Sequence, residues 1–226
     1  MKKLTTNTME DKELINLWKT YDKKLEENLT LNRKNAEEIT KIKIQSSLAS
    51  MKPLKVFTVI VGILWVTFVD VLILGAFKAG GTFFLVSAII QVILTKLAIG
   101  IYMYQLILID KVDINDSILV TQERIARLKS STIWTTRLLF LQLPIWTTFY
   151  WTETMWTNAN VWTYIIQISI TLIFTYAAIW LFVNIKYENR DKVWFQWIFN
   201  GKEWTPVMKS MAMLEQIEGY KVAHEL

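Results

Sequence analysis

The chain has 226 residues, 53% hydrophobic and 20% charged, with a formal net charge of +5. Four stretches, 56–77, 82–109, 132–151 and 161–185, hold only three of its charges: Asp70, Lys96 and Arg137. Such sorting excludes an ordinary soluble domain, and runs this apolar exclude a disordered chain.

Taken from the start, residues 1–53 are polar and highly charged, without the short apolar core of a secretory signal, so the first span is expected to act as the insertion signal. Thr8 followed by Asp11 has capping-box spacing and predicts a helix from there to about Ser47. Leu14, Trp18, Tyr21, Leu25, Leu29, Ala36, Ile39 and Ile42 recur at steps of mostly three or four, between Lys and Glu flanks. A stripe this apolar needs a surface to pack on. Two are available: helices of the same chain, or the same helix of a second protomer in a parallel coiled coil, where Asn28 and Asn32 would interrupt the seam.

A hydrocarbon core of about 30 Å takes roughly 20 apolar residues in a helix. Val56–Phe77 and Val161–Ile185 fit directly; Thr82–Ile109 is long enough to require tilt or an extension beyond the bilayer, and Thr132–Trp151 is short and contains Pro144. Twelve Lys and Arg precede the first span, four lie between spans two and three, and six follow span four, whereas the intervening turns hold Lys78 alone. That asymmetry predicts cytosolic N- and C-termini. Phe149, Tyr150, Trp151, Trp156, Trp162 and Tyr164 are expected to form an interfacial belt at the outer ends.

Between spans two and three, 113–131 reads as a cytosolic helix with Ile114, Ile118, Ile125 and Leu128 in a stripe, running into span three. The tail, 186–226, reads as a helix over Glu188–Phe199, a turn at Asn200–Gly201, and a last helix from Thr205–Pro206 through Ile217, ended by Gly219. It can pack under the spans or lie on the membrane surface. The expected fold is therefore all-α: an integral membrane four-helix bundle over 54–185, with a cytosolic amphipathic helical layer from 1–53 and 186–226.

An ionised acid inside a span costs about 2.5–3.5 kcal/mol on insertion scales and needs partners. Asp70 is such an acid. Lys96 is its natural counter-ion, although their axial offset near 10 Å leaves contact open. Thr147, Thr148 and Thr171 lie at Asp70's depth. An intramembrane polar site of Asp70, Lys96, Thr147 and Thr171 follows, either a proton or cation site or a structural hydrogen-bonded core. Arg137 can reach the inner headgroups, and Gln91, Gln105, Gln142 and Gln167 are candidate polar contacts between helices.

Enzyme chemistry finds no footing. Cysteine is absent and His224 is the one histidine, so no Cys- or multi-His metal or haem site can form. No Walker loop, G-x-S-x-G elbow or paired carboxylates within a span occur. Asp110, Asp113 and Asp116, three apart, suggest a cation site or CDP-alcohol-type chemistry, but lack the accompanying glycine pattern and fit solvated flanking acids. Basic residues alternate with acids near the N-terminus, which excludes a nucleic-acid surface. No cofactor is expected.

The runs LLFLQLPIWTTF (138–149), TQERIARLK (121–129) and ELINLWKTYDKKLEENLTLN (13–32) resemble an uncharacterised family of small four-span bacterial inner-membrane proteins. The resemblance covers most of the chain and implies topology rather than chemistry. A charged helical N-terminus ahead of spans is also similar in layout to membrane-bound anti-sigma regulators. The expected function is a non-enzymatic regulator or scaffold of the inner membrane whose cytosolic helix, through Leu14, Trp18, Tyr21 and Leu25, binds a protein partner, with a homodimer open. The alternative is a small transporter or channel subunit using Asp70 and Lys96.

Overall fold

The structure, a computed structural model, describes residues 4–79, 81–113, 115–152, 155, 157, 160–201 and 204–222. Gly80, Ile114, Trp156 and His224 lie outside the described residues, as do the side chains of Thr8, Asp11 and Lys78. Among the described residues every regular element is a helix.

Helix α1 (Leu4–Ala49) starts upstream of the expected Thr8 cap. It runs into α2 (Lys52–Ala79) with a break only at Ser50–Met51, where Pro53 contributes no N–H to the ladder. Helix α3 (Thr82–Asp110) returns antiparallel. Gly62 permits the close approach of α2 and α3: a Cβ there would meet the Ile99 side chain at 3.0 Å. Helix α4 (Ile118–Phe140) begins later than expected. Before it, the Asp113 and Asn115 N–H groups donate to the Asp116 and Asp113 carboxylates, and Ser117 caps the helix by accepting from the Val120 N–H.

The third apolar stretch is not one helix. It breaks at Leu141–Gln142 and restarts as α5 (Leu143–Thr148), with Pro144 in the first turn. Pro144 has no N–H for the Phe140 carbonyl, so the chain tightens, Gln142 N–H bonding to the Leu139 carbonyl at 3.2 Å. Helix α6 (Val161–Asn184) follows. The expected helix over Glu188–Phe199 is instead a 3-10 turn at Tyr187–Asn189 and α7 (Val193–Phe199), and α8 (Thr205–Val222) continues past Gly219. Three helical runs are long and apolar enough to cross a membrane: Glu13–Phe77, whose apolar part is α2, then Thr82–Asp110 and Val161–Asn184.

The apolar helices pack as an open row: α2 on α3, α3 on α4 and α5, and α4 and α5 on α6. Small residues fill the α2–α3 seam (Val66, Val69, Ala88, Val92), with Phe84 and Phe149 edge-on 5.5 Å apart beside it. Phe83 and Trp151 likewise pair at 5.8 Å, so part of the expected aromatic belt packs within the row.

The tightest cores lie at one end of the row. There Ile44 and Leu48 of α1, with Met51 in the break after it, meet Leu108, Ile109 and Val112, then Ile125 and Leu128 of α4, and Val207, Leu214 and Ile217 of α8. A second cluster joins Ile133 and Ile185 to Phe195, Phe199 and Trp204. The end of α1, the start of α4, the end of α6 and α8 therefore share one end, called basal below. The tail packs beneath the row rather than away from it, and of α1 only the last turns join that core. Leu14 to Leu31 remain open. The accessible surface, 15734 Å², compares with about 10700 Å² for a compact soluble chain of 26.5 kDa. Large faces of the row and of α1 are uncovered.

Candidate functional site

Asp70 and Lys96 are brought together: the Lys96 ammonium donates to Asp70 Oδ2 at 3.3 Å. Helix direction closes the axial gap. Side chains lean toward the N-terminus of their helix, so Asp70 on α2 leans basally while Lys96 on antiparallel α3 leans away from the base. The pair is not enclosed. Its side chains keep 45% and 57% of their exposure, at the open edge of α2 and α3.

Thr147 and Thr171 lie elsewhere, in the α5–α6 seam. The Thr147 hydroxyl donates to Thr171 Oγ1 at 3.0 Å, and Gln167 donates to the Thr147 carbonyl at 2.8 Å. They belong to a polar stripe that runs down the middle of the row. Ser87 and Thr148 hydroxyls lie 2.8 Å apart, and Gln142 Nε2 donates to Thr95 Oγ1 at 3.3 Å. Gln105 Nε2 donates to Thr135 Oγ1 at 3.3 Å. Ser87, Gln91, Thr95, Tyr102 and Gln105 recur at three- or four-residue multiples, one face of α3 turned to α4 and α5. The four-residue polar site expected from the sequence is thus two sites, an edge ion pair and part of a central stripe.

At the basal end of that stripe sits a residue the sequence reading counted only as a flanking charge. Lys55 has no solvent exposure; its ammonium donates to Gln105 Oε1 at 2.5 Å and lies 4.8 Å from the Tyr102 ring centre. A signal for it exists. Counted along the sequence from 80–81, Lys55 and Gln105 are equally far down their helices, about 36 Å, and Tyr102 is one turn from Gln105 on the same face.

The other charges have local duties. Arg137 donates from Nε to the Ile185 carbonyl at 2.7 Å, capping α6 between the Trp134 and Phe182 rings. It is thereby engaged within the protein, where headgroup anchoring was expected. Asp110 pairs with Lys52 at 2.7 Å, Asp113 accepts from Asn115, and Asp116 pairs with Arg124, so the three acids turn to separate partners. Among the described residues, no group of three or more metal-ligating side chains converges. Burial, and secondarily Arg190, pulls the Lys129 ammonium below its ordinary range, while Glu123 and then Tyr104 hold the Arg127 guanidinium above its own.

The expected partner-binding residues lie exposed along α1: Leu14, Trp18, Tyr21 and Leu25 keep 54–66% of their surface. Leu17, Trp18, Tyr21, Asp22 and Leu25 line a shallow groove on that helix. No family model, curated protein or solved structure matches the chain.

Proposed function

We propose that this protein is a non-enzymatic regulator or scaffold, integral to the bacterial inner membrane and multi-pass, which holds α1 in the cytosol to capture a helical protein partner. One observation carries the reading: Leu14, Trp18, Tyr21 and Leu25, spaced four, three and four, are uncovered on a helix whose last turns are locked into the basal core. Four large side chains in that register match the apolar seam of a second amphipathic helix. Trp and Tyr are the residue types that most often dominate such contacts. The bacterial inner-membrane assignment draws on the resemblance of 13–32, 121–129 and 138–149, and the membrane assignment on the three apolar helical runs.

A transporter reading has the Asp70–Lys96 pair in its favour. Against it, that pair sits at the edge of the row while the polar stripe lies in the middle, so the two form no single path.

The test uses the full chain in native membranes with a photo-crosslinking residue at Tyr21. A discrete partner adduct is expected, and Trp18→Ala should reduce it about tenfold or more. An adduct indifferent to Trp18→Ala, or adducts only to lipid, would overturn the reading.

A further inference from the structure

We propose that two copies of this chain associate side by side through the open edge of α2 and α3, exchanging the Asp70–Lys96 ion pair about a two-fold axis along the membrane normal. The proposal rests on the membrane reading given above.

Depth is the first argument. Measured outward from the Lys55–Gln105 contact, Asp70 lies about 22 Å along α2 and Lys96 about 14 Å along α3. Their leaning side chains meet between those levels, near the middle of a hydrocarbon core about 30 Å thick. In water a half-exposed ion pair is ordinary. Among acyl chains it is not, because charged groups within spans face a protein interior or a water-filled cavity. Roughly half of each side chain here is turned outward, so another protein surface covers it.

The second argument identifies that surface. An acid and a base 3.3 Å apart share one depth. A two-fold axis along the membrane normal preserves depth, and it sets Asp70 of one copy opposite Lys96 of the other, closing a ring of four alternating charges. The edge is therefore complementary to itself, as an isologous contact requires. The apolar surroundings also suit a helix: Ile93, Lys96, Leu97, Gly100, Ile101 and Tyr104 line a groove on α3. At its floor, a Cβ on Gly100 would meet nothing within 4 Å, leaving a notch for an apolar side chain of the second copy.

Charge reversal separates exchange between copies from pairing within one. Full-length copies with two different tags are co-expressed and recovered from membranes in nanodiscs. Wild-type copies should co-purify. Asp70→Lys alone, or Lys96→Asp alone, should cut co-purification about tenfold or more, because each makes the edge single-signed. Mixing the Asp70→Lys copy with the Lys96→Asp copy should restore it, although neither chain can then form the pair within itself. Recovery no better than with either variant alone would overturn the proposal, as would wild-type copies that never co-purify or a different protein seated on this edge.

A milder substitution supplies the second measurement. In this cysteine-free chain, Leu97→Cys should give an oxidant-dependent dimer in intact membranes, whereas Ile173→Cys on α6 should not. The reverse pattern would overturn the proposal. Release of the wild-type chain by alkaline carbonate would overturn the membrane reading together with it; retention as single copies would overturn the dimer alone.

Discussion

Lys55 shows how a cation is accommodated where no water reaches it. Its ammonium meets an amide oxygen and an aromatic face, and both contacts help to offset lost hydration. Lys55→Met should destabilise the bundle by about 1–3 kcal/mol, leaving a buried acceptor unpaired. Gln105→Leu should cost more, because it takes that acceptor from a buried cation. The double variant should cost less than the two single losses added together, since the contact between the two residues is then counted once. Unfolding in mixed micelles across the four proteins measures the order. At this scale the sequence is informative about types and depths: the acid, the base and the glutamines are all visible as isolated polar residues in apolar runs. Azimuth is the missing quantity. Thr147 shares a depth with Asp70, yet it bonds Thr171 on the other side of α3.

At the scale of elements, apolar length and periodicity locate most of the helices, and their ends are where local chemistry intervenes. Thr8–Asp11 has cap spacing but lies inside α1, which is already helical at Leu4. Ser117 does cap, since the Asp113–Asp116 loop precedes it with its own closed hydrogen bonds. Pro144 divides a stretch that hydropathy reads as continuous. The short α7 is the clearest case of an element made by its surroundings. Seven residues are too few to hold a helix in isolation. Phe195 stacks on Phe199 at 4.3 Å and meets Trp204 edge-on at 5.7 Å, inside a cluster that includes Ile133 and Ile185. Phe195→Ala is expected to cost about 3–5 kcal/mol and to release α7 from the ends of α4 and α6. Thermal unfolding combined with protease sensitivity near Asn200 would register both effects.

For the whole molecule, the decisive relation is that α1 and α8 meet in one core with the basal ends of α3 and α4. Between α3 and α6 the α4–α5 path also runs along the row, although it is too broken to stand among the three long apolar runs. The proposed cytosolic placement of α1 and α8 predicts that, in intact cells, Lys19→Cys and Gln216→Cys resist a membrane-impermeant thiol reagent and Thr152→Cys reacts. Labelling of either of the first two from outside would contradict the arrangement. The open row also explains the large exposed surface: α2 packs chiefly on α3, and α6 chiefly on α5 and α4, with many large apolar side chains of both left exposed.

By itself the sequence determined the helical class and the positions of the three long apolar helices, because these depend on local composition and on a period fixed by backbone geometry. Tertiary structure alone decided that Lys55 is buried, that Asp70 reaches Lys96 at an open edge, and that the α1 stripe stays uncovered after its last turns have packed. Each of these depends on which side of a helix meets which neighbour. That choice is made jointly by several helices packing at once, so no single helix carries it in its own pattern.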